Sequence, residues 1–143
     1  MAKFSTPYDT LLRVRRIEED RAKAEMATAA IAERHARGVL DTRLGEYPDL
    51  VRPPDAETTL ADFRRHQASA DAAASSVTLA RSAVESAHEQ TESARDELRQ
   101  AAMRTQGLER LVERAHQERF AEMLDADQLA AEESASRRKK GRR

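Results

Sequence analysis

The sequence predicts an all-α protein, a long antiparallel two-helix coiled-coil hairpin in which the second helix is longer than the first. Charged residues make up 36% of the chain and aromatic residues only 3%, a balance typical of long helices with more polar than buried positions. Helix-breaking residues concentrate in one place, which predicts one turn. A 3.5-residue apolar spacing runs along the second half of the chain, which indicates a coiled coil.

The first helix is predicted to cover about residues 7–44. Pro7 suits a first helical turn, where its missing N–H is not needed, and Ser5 or Thr6 can serve as the N-cap. We expect its coiled-coil seam to follow a ragged apolar stripe, with Leu11 and Leu12 beside it. The stripe consists of Val14, Ile17, Ala24, Thr28 and Ile31.

The turn is predicted over residues 45–56. Pro48, Pro53 and Pro54 lie close together there, and each proline lacks a helical N–H donor and clashes with the preceding turn. The second helix should then cover about residues 57–136, with Thr58 or Thr59 as the N-cap and Asp62 in a near capping-box position.

The seam of the second helix is the strongest pattern in the chain. In alternating steps of three and four from Phe63 to Ala115, thirteen of sixteen positions are apolar, the exceptions being His66, Thr91 and Thr105. This spacing keeps one seam facing a partner helix. Most seam residues are alanine, so the helices should approach closely while each residue buries little apolar area. The larger residues of this seam are Val77, Val84, Leu98, Leu108 and Val112.

The predicted helices differ in length. Residues 7–44 would span about 57 Å and residues 57–136 about 120 Å at 1.5 Å per residue. From roughly Ala101 onward, the second helix should therefore lack a partner within the chain. This overhang is a candidate protein-binding surface on a single hairpin of residues 1–136, followed by a disordered basic tail at 137–143.

Catalytic and cofactor chemistry has no support in the sequence. The four glycines are isolated from one another, so no phosphate-binding loop is present. The Glu85/His88 and Glu113/His116 pairs have metal-ligand spacing but lie on one helix about 42 Å apart, so we expect no metal, no cofactor and no enzyme activity. The absence of cysteine excludes thiol nucleophiles and zinc thiolate sites.

Charge and hydropathy bear on partners and location. The net charge of −1 provides no bulk attraction to nucleic acid, and the basic tail lacks the aromatic neighbours that would favour RNA binding. No apolar run reaches the roughly 20 residues needed to span a bilayer, and no apolar secretory segment follows Met1. We therefore expect a cytoplasmic protein without membrane insertion, small-molecule substrate or nucleic-acid partner.

Three segments resemble the flagellar export protein family FliJ. Residues 4–16, Phe-Ser-Thr-Pro-Tyr-Asp-Thr-Leu-Leu-Arg-Val-Arg-Arg, followed by Ile-Glu-Glu, are similar to its opening. Residues 108–114, Leu-Glu-Arg-Leu-Val-Glu-Arg, resemble its Leu-Glu-x-Leu-x-Glu-Arg signature. Glu122 and residues 127–130, Asp-Gln-Leu-Ala, resemble its closing Glu…Asp-Glu-Leu-Ala.

The resemblance implies a coiled-coil stalk or chaperone of the flagellar type III export apparatus, peripherally associated with the membrane. Its partners would be the export ATPase FliI, the export gate protein FlhA and export chaperones. The gate contact would involve Phe63, although the leucine expected one turn later is Gln67 here. The residues facing the ATPase would be Phe4, Leu11, Leu12, Arg15, Arg110, Leu111, Arg114 and Phe120.

Other functions remain open from the residues alone. The chain could be a homodimeric coiled-coil spacer or adaptor in which the overhang pairs with its own copy. It could be the equivalent stalk of a virulence type III secretion system. A nucleic-acid-associated protein acting through residues 137–143 is the alternative from a different class.

Overall fold

The computed structural model describes residues 4–141 and contains two long helices, α1 (Asp9–Leu50) and α2 (Leu60–Lys140). The predicted all-α class is confirmed, as is the greater length of the second helix, since α1 has 42 residues and α2 has 81. Within the described residues the chain divides into two compact units, each of which contains part of α1 and part of α2. Unit 1 contains the described residues up to Glu19 and from Gln100 onward, and unit 2 contains Asp20–Arg99.

In unit 1, α1 begins at a capping box that the sequence predicts in part. The backbone N–H of Thr6 donates to Asp9 Oδ2 at 2.8 Å, and Thr6 Oγ1 donates to Asp9 Oδ1 at 2.8 Å. Ser5 adds a third hydrogen bond to the same carboxylate. Thr6 therefore caps the turn at Pro7 and Tyr8 that leads into α1, which begins at Asp9, two residues after the predicted start. These hydrogen bonds, those from Thr6 first, lower the pKa of Asp9.

In unit 2, the connection between the helices is shorter than predicted. α1 continues through Gly45 and Pro48 to Leu50, so the predicted turn at residues 45–56 is wrong in its first half. Pro48 lies in the last turn, where it removes one helical hydrogen bond, and the ladder resumes when the Val51 N–H donates to the Tyr47 carbonyl at 3.1 Å. The adjacent prolines at 53 and 54 end the helix.

The first turn of α2, also in unit 2, has the expected cap. The Asp62 N–H donates to Thr59 Oγ1 at 3.2 Å, and Thr59 Oγ1 donates to Asp62 Oδ2 at 2.6 Å. The Phe63 N–H donates to the Thr59 carbonyl at 2.9 Å. Thr59 therefore satisfies backbone donors that the start of a helix leaves unpaired.

At the other end of α2, in unit 1, the helix runs further than predicted. Arg137–Lys140 are helical rather than disordered, and Gly141 follows as a turn. Cations in the last helical turn interact favourably with the partial negative charge of the carbonyl end. The remaining tail positions, 142 and 143, lie outside the described residues.

In each unit, the α2 seam lies at the contact between the two helices. In unit 2 its most buried members are Ala73, Val77, Ala80 and Thr91, and in unit 1 they are Ala101 and Thr105. Val84, Leu98, Leu108 and Val112 are half-buried. Alanine and threonine thus dominate the centre of the contact, which allows the two backbones to approach closely.

The predicted α1 seam is wrong. Val14, Ile17 and Ile31 are 45%, 57% and 60% exposed, and Ala24 and Thr28 are exposed as well. The contact uses another stripe, which also follows steps of three and four. Its members are Leu12, Arg15 and Glu19 in unit 1 and Ala22, Met26, Ala29, Glu33, Ala36 and Leu40 in unit 2.

A polar cluster explains why this stripe faces α2 in unit 2. Glu33 Oε1 lies 3.1 Å from His88 Nδ1 on the opposite helix and accepts a 2.6 Å hydrogen bond from Arg37. Hydrogen bonds from Arg37 and Thr91 lower the pKa of Glu33 to about 2. Rotating α1 to bury its isoleucines would break the hydrogen bonds of Glu33 with His88 and Thr91. Thr91, which is only 3% exposed, would then lose Glu33 as a partner.

The close packing of the seam leads to a prediction about stability. Ala80→Asp places an unpaired carboxylate in the seam, whereas Ala74→Asp makes the same change on the exposed face of the same helix. We expect Ala80→Asp to lower the free energy of unfolding by about 2 kcal/mol more than Ala74→Asp. Urea denaturation followed by circular dichroism measures both, and equal losses would contradict the assigned seam.

The Glu33 cluster leads to a prediction about how stability depends on pH. Because the folded-state pKa of about 2 lies below the ordinary value of 4.5, Glu33 stabilises the fold fully above pH 4.5 and loses this effect as the pH falls toward 2. We expect Glu33→Gln to unfold with a weaker pH dependence than the wild type in this range. Glu25→Gln, at an exposed position of α1, is the matched control and should retain the wild-type dependence.

Candidate protein-binding site

The two ends of the chain meet in unit 1 around Phe4. The rings of Phe4 and His116 form an edge-to-face contact, with centroids 5.1 Å apart and an interplanar angle of 75°. The Arg119 guanidinium carbon lies 5.7 Å from the centroid of the Phe4 ring, within range of a cation–π interaction. Phe4, which precedes α1, is thereby attached to α2.

Two polar contacts continue this pairing along unit 1. Arg16 Nη2 lies 3.3 Å from Glu109 Oε1, and Thr105 Oγ1 donates a 3.3 Å hydrogen bond to the carbonyl of Arg15. Thr105 also donates to the Ala101 carbonyl at 3.1 Å. Phe4 contacts His116, whereas the later residues Arg15 and Arg16 contact Thr105 and Glu109, which lie earlier on α2, so the segments are antiparallel.

The predicted overhang is therefore wrong in its starting point. Ala101 and Thr105 are 8% and 4% exposed because residues 4–19 cover them. The prediction placed the end of the first helix too early, at residue 44, and left out the contribution of the residues before Pro7. Every described residue from His116 onward is exposed, and we call residues 117–140, which follow the Phe4 contact at His116, the terminal helix segment.

The residues predicted to face the ATPase have different environments in unit 1. Leu12 is 7% exposed and packs between the helices, so it presents no surface to a partner. Arg15 is half-buried and pairs with Glu18 at 2.8 Å. Leu11 and Leu111, by contrast, remain about two-fifths exposed.

The most accessible of the predicted residues lie on α2. Arg110 and Arg114 are exposed and have no ion-pair partner among residues 4–141. Phe120 is 62% exposed at the start of the terminal helix segment. Three further exposed apolar residues of this segment were not among the predicted binding residues, although the first two belong to an apolar stripe that restarts at Phe120. They are Met123, Leu124 and Leu129.

The prediction also overlooked His116 and Arg119 as the contacts of Phe4. An aromatic residue ahead of a helix indicates an anchor, but the sequence does not specify the position on α2 that receives it. Phe63, the predicted gate contact, belongs to unit 2. It lies in the first turn of α2 and is about half exposed, as is expected of a residue available to a partner, and Gln67 one turn later is exposed too.

The site has no catalytic arrangement in the part of the chain described. A cleft beside Phe4, Asp9 and His116 is open to solvent. No group of three or more acidic, histidine or cysteine side chains within residues 4–141 could hold a metal ion. Over the same residues, neither helix has an apolar stretch long enough to cross a membrane.

These features define a class of protein, a helical coiled coil that presents exposed apolar and arginine side chains to other proteins. The family model described as Flagellar FliJ protein matches residues 4–143, and the chain therefore belongs to the FliJ family. Membership indicates a component of the flagellar protein export apparatus. Comparison with curated proteins and with solved structures gave no match.

The contact of Phe4 with His116 can be measured in solution. We expect Phe4→Ala to shift the His116 ring proton resonances, because the ring current of Phe4 is lost, and to cost about 1 kcal/mol of stability. Amide hydrogen exchange in residues 5–9 should accelerate. Phe63→Ala, an identical truncation in unit 2, should leave the His116 resonances in place. Unchanged resonances in Phe4→Ala would show that the N-terminal anchor does not form.

Proposed function

We propose that this chain is a non-enzymatic coiled-coil component of the flagellar type III export apparatus that binds the export ATPase through one end of unit 1. It would act in the cytoplasm, at the membrane-associated export machinery. The observation that carries the proposal is the family match over residues 4–143. The matched family is flagellar by description, which favours this function over the stalk of a virulence secretion system.

The composition of the unit 1 surface supports binding to a protein. Arginine and large aromatic or aliphatic side chains provide most of the binding energy in protein interfaces. Leu11, Leu111 and Phe120 supply exposed apolar area, and Arg110 and Arg114 supply cations that have no ion pair within residues 4–141. A partner with apolar pockets rimmed by carboxylates would fit this surface.

The attachment of the N-terminal residues to α2 also supports a protein-binding surface on unit 1. Phe4 is held by His116 and Arg119, so the residue ahead of α1 lies against α2 within unit 1. A surface built from paired helices is more rigid than a single helix, and rigidity lowers the entropic cost of binding. Leu12 would contribute indirectly, by keeping the two helices together.

Phe63 is the proposed contact with the export gate protein. Its side chain is exposed in the first turn of α2, where the Thr59 cap determines the start of the helix. An exposed aromatic residue on a capped helix suits a shallow apolar pocket. With Gln67 in the next turn in place of an apolar residue, this contact would be smaller than the one with the ATPase.

The test uses paired variants and both partners. Leu111→Asp combined with Phe120→Asp should weaken binding to the export ATPase by at least about tenfold, as measured by light scattering and pull-down of the mixed proteins. Leu79→Asp, at an exposed leucine of unit 2, is the matched control and should bind normally. Phe63→Asp should affect binding to the gate protein alone.

Circular dichroism is used to check that each variant remains helical. Normal ATPase binding by the double variant would contradict the proposed surface. Loss of binding in Leu79→Asp as well would show that the effect is not specific to unit 1.

A further inference from the structure

The terminal helix segment has a strong separation of charge along its length. Its first part, residues 118–133, is acidic apart from Arg119, and its last turn is basic. The acidic residues are Glu118, Glu122, Asp125, Asp127, Glu132 and Glu133. The basic residues of the last turn are Arg137, Arg138, Lys139 and Lys140, and the sequence continues with Arg142 and Arg143.

Most of these charges lack an ion pair among residues 4–141. Within the segment, Arg119 pairs with Glu122 at 3.4 Å and Arg137 with Glu133 at 3.8 Å. The other acidic groups and the last three cations of the turn have no ion pair in the described structure. No part of α1 covers the segment, since every residue from Gln117 to Gly141 is exposed.

We propose that this segment docks antiparallel on the same segment of a second copy of the chain. In an antiparallel pair centred on Leu129, the basic last turn of one copy lies beside Glu118 and Glu122 of the other, and this happens twice. A parallel pair would place acid against acid and base against base, which is unfavourable. The charges at the two ends of the segment therefore favour a second copy in the antiparallel direction.

Other kinds of partner would complement the charge of only one part of the segment. A nucleic acid or an anionic membrane would attract the basic turn and repel the acidic part that precedes it. A basic protein would attract the acidic part and repel the basic turn. The required partner has both charges in reverse order at matching distance, and a second copy of this chain has that pattern.

The apolar side chains provide the contact that the charges orient. Phe120, Met123 and Leu124 are each more than half exposed and lie within little more than one helical turn. Leu129 lies near the middle of the segment, where it would come close to its own copy in an antiparallel pair. Alanines at 121, 126, 130 and 131 allow the helices to approach closely.

This self-association is independent of the proposed role in export, and its test uses the purified chain alone. It would cover Phe120, which the proposed ATPase-binding surface also includes, so the two interactions would compete. Failure of one proposal leaves the other standing, because ATPase binding is measured with the partner present and dimerisation without it.

The first experiment exchanges the charges and measures mass by light scattering across a concentration series. One variant combines Glu118→Lys, Glu122→Lys and Asp125→Lys, and the other combines Arg138→Glu, Lys139→Glu and Lys140→Glu. We expect a wild-type dimer that weakens as salt is added. Each variant alone should associate at least about tenfold more weakly, and an equimolar mixture of the two should recover the dimer.

The control makes equivalent changes at exposed acidic positions of α2 in unit 2, namely Asp71→Lys, Glu85→Lys and Glu89→Lys. This variant should dimerise as the wild type does. A wild-type chain that stays monomeric at all concentrations would overturn the proposal, as would a mixture of the two charge variants that does not recover the dimer.

The second experiment determines whether the two copies pair antiparallel or parallel. Because the chain has no cysteine, a single introduced cysteine reports on one position alone. Leu129→Cys should form a disulfide between copies on oxidation, because residue 129 meets its own copy. Gln117→Cys should not, because the two 117 positions would be roughly 35 Å apart in an antiparallel pair of this length. Efficient cross-linking at both positions would indicate a parallel pair and contradict the proposal.

Discussion

The packing of small residues between two helices is the constraint on which the structure depends. Ala73, Ala80 and Ala101 occupy the centre of the contact, with Thr91 and Thr105 among them. Small side chains bring the backbones close, but each removes little apolar area from water. The two units therefore depend on many weak contacts in sequence rather than on a few large side chains, and even the most buried positions retain some exposure.

A thin contact of this kind gives polar groups an important role in alignment. Since alanine fits against alanine in several registers, apolar packing alone discriminates poorly between them. In unit 2, the cluster of Glu33, Arg37, His88 and Thr91 forms only when α1 and α2 are correctly aligned. In unit 1, the contacts of Arg16 with Glu109 and of Phe4 with His116 have the same effect.

The distribution of large apolar side chains relates this packing to function. Because alanines and threonines fill much of the contact, many of the larger aliphatic and aromatic residues are left on the surface. Val14, Ile17 and Ile31 are examples on α1, and Phe120 and Leu129 are examples on α2. In a compact domain such residues would form the core. Their exposure here is consistent with a protein that acts by binding other proteins.

The sequence by itself determined the helical class, the caps at Thr6 and Thr59, the α2 seam and the resemblance to the FliJ family, since these depend on local spacing, caps and motifs. Thr6 and Thr59 cap their helices through bonds to residues three positions away, which a sequence displays directly. The prediction of the end of α1 failed because the rest of the helix tolerates Gly45 and Pro48, and that error moved the predicted overhang to Ala101.

Only the tertiary structure decided which face of α1 meets α2 and which candidate residues remain accessible. Two stripes with similar spacing run along α1, and hydropathy favours the one that contains Val14 and Ile17. The structure uses the other, in which Leu12 packs between the helices and Glu33 bonds across them. That choice depends on hydrogen bonds between residues distant in the chain, such as Glu33 with His88 and Arg15 with Thr105, and the spacing within a single helix contains no information about them.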